Sequence, residues 1–501
     1  MASEQRQRRS MPKVRTGCVT CKSRRVKCDE TRPSCQRCTR IGRTCPGYRS
    51  EVAPKINNEI KIYNLPFKVP GSKADRELLH FYCCETSESL SRFSDTTLWT
   101  HLVLQQSQHQ PVIRHALVAL SSLYRDYLQV GSSQLKMSPQ HIQLITRSHK
   151  QLSTYLAFEE ASSETALICS VIFYIFECLV GETQQAMWHL NQGLRLLSRL
   201  WSSTRRVETG LDGINRQLRT TFSRLDIHAS IFFMQRNPIL DLVSPEQVLG
   251  QVQVVPDSLA SLSEAEDALL ALQNWTLRHL LVYIEFKGMP QIRIPPRALR
   301  ERLQLKNELE RLEEAIAKLA TRAERHLFSP SQRQQLTLLE AQTHMFHAVL
   351  LGNLIPSSIS DITSRFGLAM DQISGILSQS VKENDSGLHR DFTLSSNIIA
   401  MLYFICMRTH DRRILQRSLS LMQGYLGSAR DGLWDSRMAV VVITAMQKKI
   451  SEDDESETTT KLDDVGGGVV DNVGGLDRAF KNLQLTEREC LLKVSNGTIW
   501  G

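Results

Sequence analysis

Six cysteines between Cys18 and Cys45, in CVTCKSRRVKCDETRPSCQRCTRIGRTC, have the type and spacing to bind metal. They read C-x2-C-x6-C-x6-C-x2-C-x6-C, which is one unit written twice with an offset of 17 residues: Cys18, Cys21, Cys28, then Cys35, Cys38, Cys45. A structural zinc takes four ligands in a tetrahedron, so a pair of zincs offers about eight positions. Six sulfurs fill them when two bridge. Cys21 and Cys28 are seven residues apart, so on a helix both would point to one side, and the same holds for Cys38 and Cys45. The spacing therefore predicts two short helices closing around a shared metal pair. A disulfide framework would need an oxidising compartment. The opening MASEQRQRRSMPKV carries no apolar leader region, which points away from secretion.

The charges around the cysteines indicate a partner. Residues 1–50 hold 14 Lys and Arg against 3 Asp and Glu, whereas residues 51–501 hold 47 against 49. The net charge of +9 thus originates in the first tenth of the chain. Such density on a small domain is the footprint of a polyanion. Lys22, Arg24, Arg25 and Lys27 fill the expected first helix, and Arg15 lies just ahead of it. The second, TRIGRT, has fewer charges and contains Gly42, which makes it the poorer helix. Residues 1–13 read as a disordered basic arm for nuclear import or extra phosphate contact.

The cysteine segment resembles the fungal binuclear zinc cluster (Zn2Cys6) DNA-binding domain, with every cysteine on the family spacing. The resemblance implies that residues 14–47 hold two Zn2+ through Cys18, Cys21, Cys28, Cys35, Cys38 and Cys45, that Cys18 and Cys35 bridge, and that Pro33 sits in the connecting turn. It also implies that the first half enters the major groove of double-stranded DNA and reads a CGG-type triplet with the basic pair Arg24 and Arg25. The family often has Lys where this chain has Arg25, and arginine also bonds guanine O6 and N7 bidentately. Arg15, Lys22 and Lys27 are expected on phosphates, which set register and affinity without reading sequence.

The remaining chain must position or regulate this domain. Residues 48–72, with Pro54, Pro66 and Pro70, read as a linker that cannot form a coiled coil. Residues 73–450 read as an all-α domain. Ile113, Leu117, Leu120, Tyr124 and Leu128 recur at helical steps, as do Met187, Leu190, Leu194, Leu197 and Trp201. Further helices are expected near 73–93, 139–158, 164–180, 212–234, 263–286, 298–327, 332–351, 388–409 and 434–449. ELLHFYCCETSESLSRF, TLWTHLVLQQSQHQPVIRHALVALSSLY and AMWHLNQGLRLL are similar to the α-helical regulatory domain downstream of many fungal zinc clusters. The apolar stretch Ala166 to Gly181 is short for a membrane span and reads as a buried central helix.

Leu305, Leu309, Leu312, Ile316, Leu319 and Ala323 form a heptad seam of under three repeats. That length favours packing inside the domain, with a homodimer contact as the alternative. Residues 451–478 are acidic and glycine-rich and read as a disordered connector rather than a segment for coactivators or corepressors; residues 479–501 form the tail. Cys83, Cys84, Cys169, Cys178, Cys406 and Cys490 lack ligand spacing and read as core residues. No H-E-x-x-H, G-x-S-x-G or P-loop motif occurs, so no catalytic residue is assigned.

The sequence reading is a nuclear transcriptional regulator of RNA polymerase II genes, with no enzyme activity, no membrane contact and, by analogy, control of a metabolic gene cluster. One alternative is a cofactor or repressor acting through the helical domain, the zinc domain giving only general DNA affinity. Another is a helical enzyme tethered to DNA.

Overall fold

The structure, a computed structural model, describes residues 17–48, 70–129, 135–158, 160–204, 216–286, 291–322, 328–352, 359–383, 391–394, 396–409 and 412–444. The chain divides into two compact units, Met1–Leu65 and Pro66–Gly501.

The first unit contains two five-residue helices, α1 (Val19–Ser23) and α2 (Gln36–Arg40). Each starts on a cysteine, Cys18 or Cys35, whose sulfur accepts from the backbone N–H three residues on. Neither helix reaches the third cysteine of its repeat, contrary to the expectation from spacing. α1 stops because Arg25 takes φ 55°, and α2 stops because Gly42 takes φ 67°. Val26 N–H bonds to Cys21 C=O and Arg25 N–H to Lys22 C=O; Arg43 to Cys38 and Gly42 to Thr39 repeat this pattern. These bond pairs are Schellman closures, in which the left-handed residue turns the chain back. Gly42 therefore terminates its helix rather than weakening the interior, and Cys28 and Cys45 return to the cluster on extended chain.

The second unit is helical. Its helices are α3 (Lys73–Phe81), α4 (Ser87–Ser91), α5 (Val103–His109), α6 (Pro111–Gln129), α7 (Pro139–Leu156), α8 (Ser163–Val180), α9 (Thr183–Thr204), α10 (Arg216–Phe232), α11 (Pro245–Val248), α12 (Leu262–Val282), α13 (Pro296–Arg322), α14 (Pro330–Leu351), α15 (Ile359–Glu383), α16 (Ile398–Arg408) and α17 (Arg412–Gly424). Several starts are written in the sequence as Ser-Pro. Ser138, Ser244 and Ser329 each accept from the N3 backbone N–H, while the N3 side chain bonds back to the cap and proline occupies N1.

The helices pack largely with their chain neighbours: α6 on α7 and α8, α8 on α9, α12 on α13 and α14, and α14 on α15. α8 is 18 residues long and the one described helix apolar enough to cross a membrane by length and composition. Its residues from Leu167 to Phe176 are all buried within the protein, as expected of a central helix. A second core joins α10, α14, α15, α16 and α17. In a third, Leu305, Leu309, Leu312, Ile316 and Leu319 of α13 meet Leu269 and Leu272 of α12 and Leu336 and Leu339 of α14. These five seam residues are at most 2% exposed, so the heptad face packs inside its own domain. Ala323 lies outside the described residues.

Three short strands form a sheet in the order β1 (Phe392–Thr393), β2 (Arg430–Asp431), β3 (Trp434–Asp435), parallel then antiparallel. Asp431 accepts from Ser396 N–H at 2.8 Å and Thr393 Oγ1 at 2.9 Å, which holds the preceding loop against β2. The helix expected over 434–449 begins at 436, because β3 takes its first residues. Likewise α16 starts ten residues later than the expected 388, and β1 lies ahead of it. α15 and α17 were not anticipated from the pattern.

Candidate metal centre and nucleic-acid interface

The two cysteine repeats build one nest by using the same contacts twice. Cys18 Sγ accepts from Cys21 N–H at 3.4 Å, and Cys35 Sγ from Cys38 N–H at 3.3 Å. In turn Cys18 N–H donates to Cys28 Sγ at 3.4 Å and Cys35 N–H to Cys45 Sγ at 3.5 Å. Cys18, Cys21, Cys35 and Cys38 are at most 1% exposed. The sulfurs fall into two sets of four, Cys18/Cys21/Cys28/Cys35 and Cys18/Cys35/Cys38/Cys45, each within 4.8 Å. Cys18 and Cys35 belong to both sets.

This donor set can be tested for zinc by distance. A zinc–sulfur bond of about 2.3 Å in a tetrahedron sets a sulfur–sulfur edge of about 3.8 Å. The separations are 3.7 Å for Cys18–Cys35, 3.8 Å for Cys18–Cys38 and 3.7 Å for Cys21–Cys35. Burial pushes the thiols of Cys18, Cys21, Cys35 and Cys38 up. At Cys28 burial is outweighed by the backbone N–H groups of Cys18 and Glu30, and the thiol falls to about 7. Clustered buried thiolates require a cation, and a divalent soft-to-borderline metal is the one their chemistry fits. The chain carries a cluster domain whose six cysteines can bind two zinc ions. Zinc in such an all-sulfur shell is structural, since no position is left open for substrate.

Polar side chains lock the two halves together. Asp29, just after Cys28, accepts from Gln36 N–H at 3.1 Å and Arg37 N–H at 2.7 Å, at the start of α2. The Thr31 hydroxyl bonds to the same carboxylate and, with these N–H donors, holds it down at about 2. Arg37 Nη1 reaches back to Lys27 C=O at 3.2 Å. Tyr48 Oη donates to Thr31 C=O at 2.9 Å, while Arg32 lies 5.3 Å from its ring centroid. Pro33 lies in the connecting turn, after a cis peptide bond. Asp29, Arg37 and Tyr48 were not singled out from sequence. The signal for Asp29 was local, an Asp two residues before a Thr in a turn.

Lys22, Arg24, Arg25 and Lys27 are all exposed. Lys22 is in the last turn of α1, Arg24 is its C-cap, and Arg25 is the left-handed residue beyond. The structure thus gathers four cations at the end of one short helix. At the equivalent positions of the second repeat stand Thr39, Ile41, Gly42 and Thr44. The metal-binding framework is duplicated, but the cations are not at matching positions: the second repeat carries Arg37, Arg40 and Arg43 instead. Arg15 lies outside the described residues.

Cys83, Cys169, Cys178 and Cys406 are buried, and burial pushes each thiol up to about 12. Cys84 is exposed, correcting its assignment to the core, because it faces outward from the turn after α3. Cys490 is outside the described residues.

The comparisons with known proteins agree with this architecture. Residues 16–53 match the fungal Zn(2)-Cys(6) binuclear cluster domain, and residues 77–349 match the fungal specific transcription factor domain. The chain belongs to this family of fungal zinc cluster transcription factors, which are regulators and not enzymes. It is 25% identical over 298 residues to the aspercryptin biosynthesis cluster-specific transcription regulator atnN of Emericella nidulans, covering 53% of this chain and 47% of that one. It is 29% identical over 198 residues to the transcription regulator lscL of Purpureocillium lilacinum, covering 35% and 46%. The Zn(2)-C6 fungal-type transcription factor afumD of Aspergillus fumigatus is 32% identical over 123 residues, covering 22% and 32%. The chain thus spans about half the length, or less, of these curated relatives. No solved structure matches it.

Proposed function

We propose that the protein is a nuclear, zinc-dependent, sequence-specific transcriptional regulator of RNA polymerase II genes that reads CGG-type triplets in the major groove. Residues 14–47 are the DNA-binding domain, with Cys18, Cys21, Cys28, Cys35, Cys38 and Cys45 as ligands of two zincs and Cys18 and Cys35 bridging. Residues 73–450 are the regulatory domain. The observation that carries the reading is where the cations stand on the metal framework. Lys22, Arg24, Arg25 and Lys27 cluster, exposed, at the end of α1, whereas the second repeat places its cations elsewhere, at Arg37, Arg40 and Arg43, and has Ile41 and Gly42 where the first has Arg24 and Arg25. A scaffold needing charge only for solubility would have no reason to concentrate it there. Arg24 and Arg25 are the base readers, since a guanidinium can take guanine O6 and N7 together, at about 1–3 kcal/mol of discrimination per pair. Arg15, Lys22 and Lys27 hold phosphates, and each such contact steepens the salt dependence. The cluster-specific role in the name of the relative atnN supports a pathway-specific target set, a biosynthetic gene cluster.

The test is selection of bound DNA from a random pool by the full-length zinc-loaded protein, with Cys28→Ala as control. An enriched CGG-like triplet, absent from the control, is expected. Two triplets at fixed spacing would add a homodimer to the reading. Zinc-dependent binding with no enriched sequence would overturn base reading by Arg24 and Arg25 and favour a cofactor acting through the helical domain.

A further inference from the structure

Between the outer face of α7 and the start of α6 runs an open groove of about 930 Å³. Its lining on α7 extends from Ile142 to Tyr155, about 20 Å at the helical rise, and Phe158 lies just beyond the helix end. Val112, Ile142, Tyr155 and Phe158 supply an apolar floor and ends. Ile142 is 50% exposed and Phe158 66%, an apolar surface for which the described residues provide no cover. The charged residues of the lining are Arg147 and Lys150; no carboxylate lines the groove. Neither cation has an ion pair among the described residues. Arg147 is instead held from behind by His115, whose Nε2 lies 3.0 Å from Nη2. Burial, then the neighbouring Arg147 and Arg114, keep that imidazole neutral, so it accepts the bond and leaves the guanidinium charge uncompensated.

The occupant this groove calls for is elongated, apolar and acidic. One segment of the chain has that chemistry. Ser451–Val494 carries eleven acidic residues against five basic ones, nine of the acids in Ser451–Asp477 with one lysine, and Leu476, Phe480 and Leu483 fall at steps of four and three. Outside Ser451–Asp477, residues 51–501 hold 46 Lys and Arg against 40 Asp and Glu, so the acidic excess is confined to this segment. Reach is not limiting. Thirty-one residues separate Thr444 from Leu476, enough for roughly 100 Å of extended chain. A domain of this size has a radius of gyration of only about 21 Å.

We propose that the α6–α7 groove is the docking site for the chain's own acidic and apolar segment, Ser451–Val494. Phe480 and Leu483 sit on the apolar floor and the acidic run faces Arg147 and Lys150. Tethering gives the segment an effective concentration in the millimolar range, so a weak contact suffices to hold it. A docked segment is withheld from other proteins until something displaces it, which makes the groove a regulatory surface. The inference is independent of the DNA reading, because it concerns neither the cluster nor its basic residues.

The experiment uses the full-length zinc-loaded protein with the photocrosslinker p-benzoylphenylalanine in place of Phe158. The expected result is an intramolecular adduct, mapped by peptide mass spectrometry to residues 451–494. It should fall at least tenfold in Arg147→Glu/Lys150→Glu. Reversing Asp453, Asp454 and Glu455 to lysine in that variant should restore it. Arg147 and Lys150 are exposed, and circular dichroism checks that the fold is kept in every variant. No adduct to the segment, an adduct between two copies, or a segment adduct indifferent to charge reversal would overturn the proposal.

Discussion

Arg25 and Gly42 occupy the same position in the two cysteine repeats, 17 residues apart, and both backbones are left-handed, with φ of 55° and 67°. The Schellman closure that ends each helix asks for glycine there, and only the second repeat supplies it. A left-handed non-glycine residue costs roughly 1–2 kcal/mol. The first repeat tolerates that strain, and strain of this kind concentrates at functional sites. Arg25→Gly should therefore raise the thermal midpoint of the zinc-loaded protein's cluster domain while weakening binding to the selected triplet about tenfold or more, as loss of a bidentate guanine contact requires. Arg25→Ala should weaken binding equally without the gain in stability. The pair separates backbone strain from base reading.

The two sulfur sets predict an unequal response to cysteine removal. Cys18 and Cys35 are common to both sets, whereas Cys28 belongs to one and Cys45 to the other. Zinc per chain, measured by release to a chromogenic chelator, should drop from two to near none in Cys35→Ala. In Cys45→Ala one metal should persist, held by Cys18, Cys21, Cys28 and Cys35. Equal losses in both variants would argue against shared sulfurs.

The cysteine arithmetic was legible in the sequence because ligand spacing is a local property. What it missed was the path between ligands. Seven-residue separation suggested a two-turn helix, but nothing in Arg25 announces a left-handed backbone, and the Schellman bonds of Val26 and Arg43 turn the chain out of the helix before the third cysteine. The interlock made by Asp29 across to α2 likewise joins residues that only the fold brings together. In the helical unit, Ser-Pro starts and apolar steps mark most elements. α15 was not among the expected helices although Phe366, Ala369, Met370, Ile373, Ile376 and Leu377 follow the helical period; Gly367 and Gly375 stand within that stretch. Both glycines face open space, where a Cβ would meet nothing within 4 Å, so they weaken the helix without interrupting its packed face. The α13 seam shows the converse limit, since a heptad pattern is the same whether its partner is another chain or α12 and α14.

Gly193, on α9, marks a close helix crossing. A Cβ there would come within 2.5 Å of Phe222 Cε1 on α10 and 2.5 Å of Ser170 Oγ on α8. Both neighbours are in packed surroundings, and the Ser170 hydroxyl is already bonded to His189 C=O at 2.8 Å. Gly193→Ala should destabilise the helical unit by about 1–3 kcal/mol, as overpacking does, despite alanine's better helix propensity. Gly375→Ala should instead be neutral or mildly stabilising. Urea unfolding followed by far-ultraviolet circular dichroism compares the two.

Glu177 lies near the end of the apolar helix α8, and burial, followed by repulsion from Glu182, raises its carboxyl to about 7. The ordinary value is 4.5, so the folded state holds the proton more tightly than the unfolded chain. The stability this gives is complete below pH 4.5 and is lost as pH rises through 7. Glu177→Gln keeps the shape and removes the charge. It should therefore match the native protein near pH 4.5 and exceed it at pH 8, by on the order of 1–2 kcal/mol once solvent screening of this partly exposed group is allowed for. Thermal unfolding of both proteins across that range reads the difference directly. A gap that does not widen with pH would mean that Glu177 is charged in the folded protein without penalty, and that α8 accepts an anion where its neighbours are apolar.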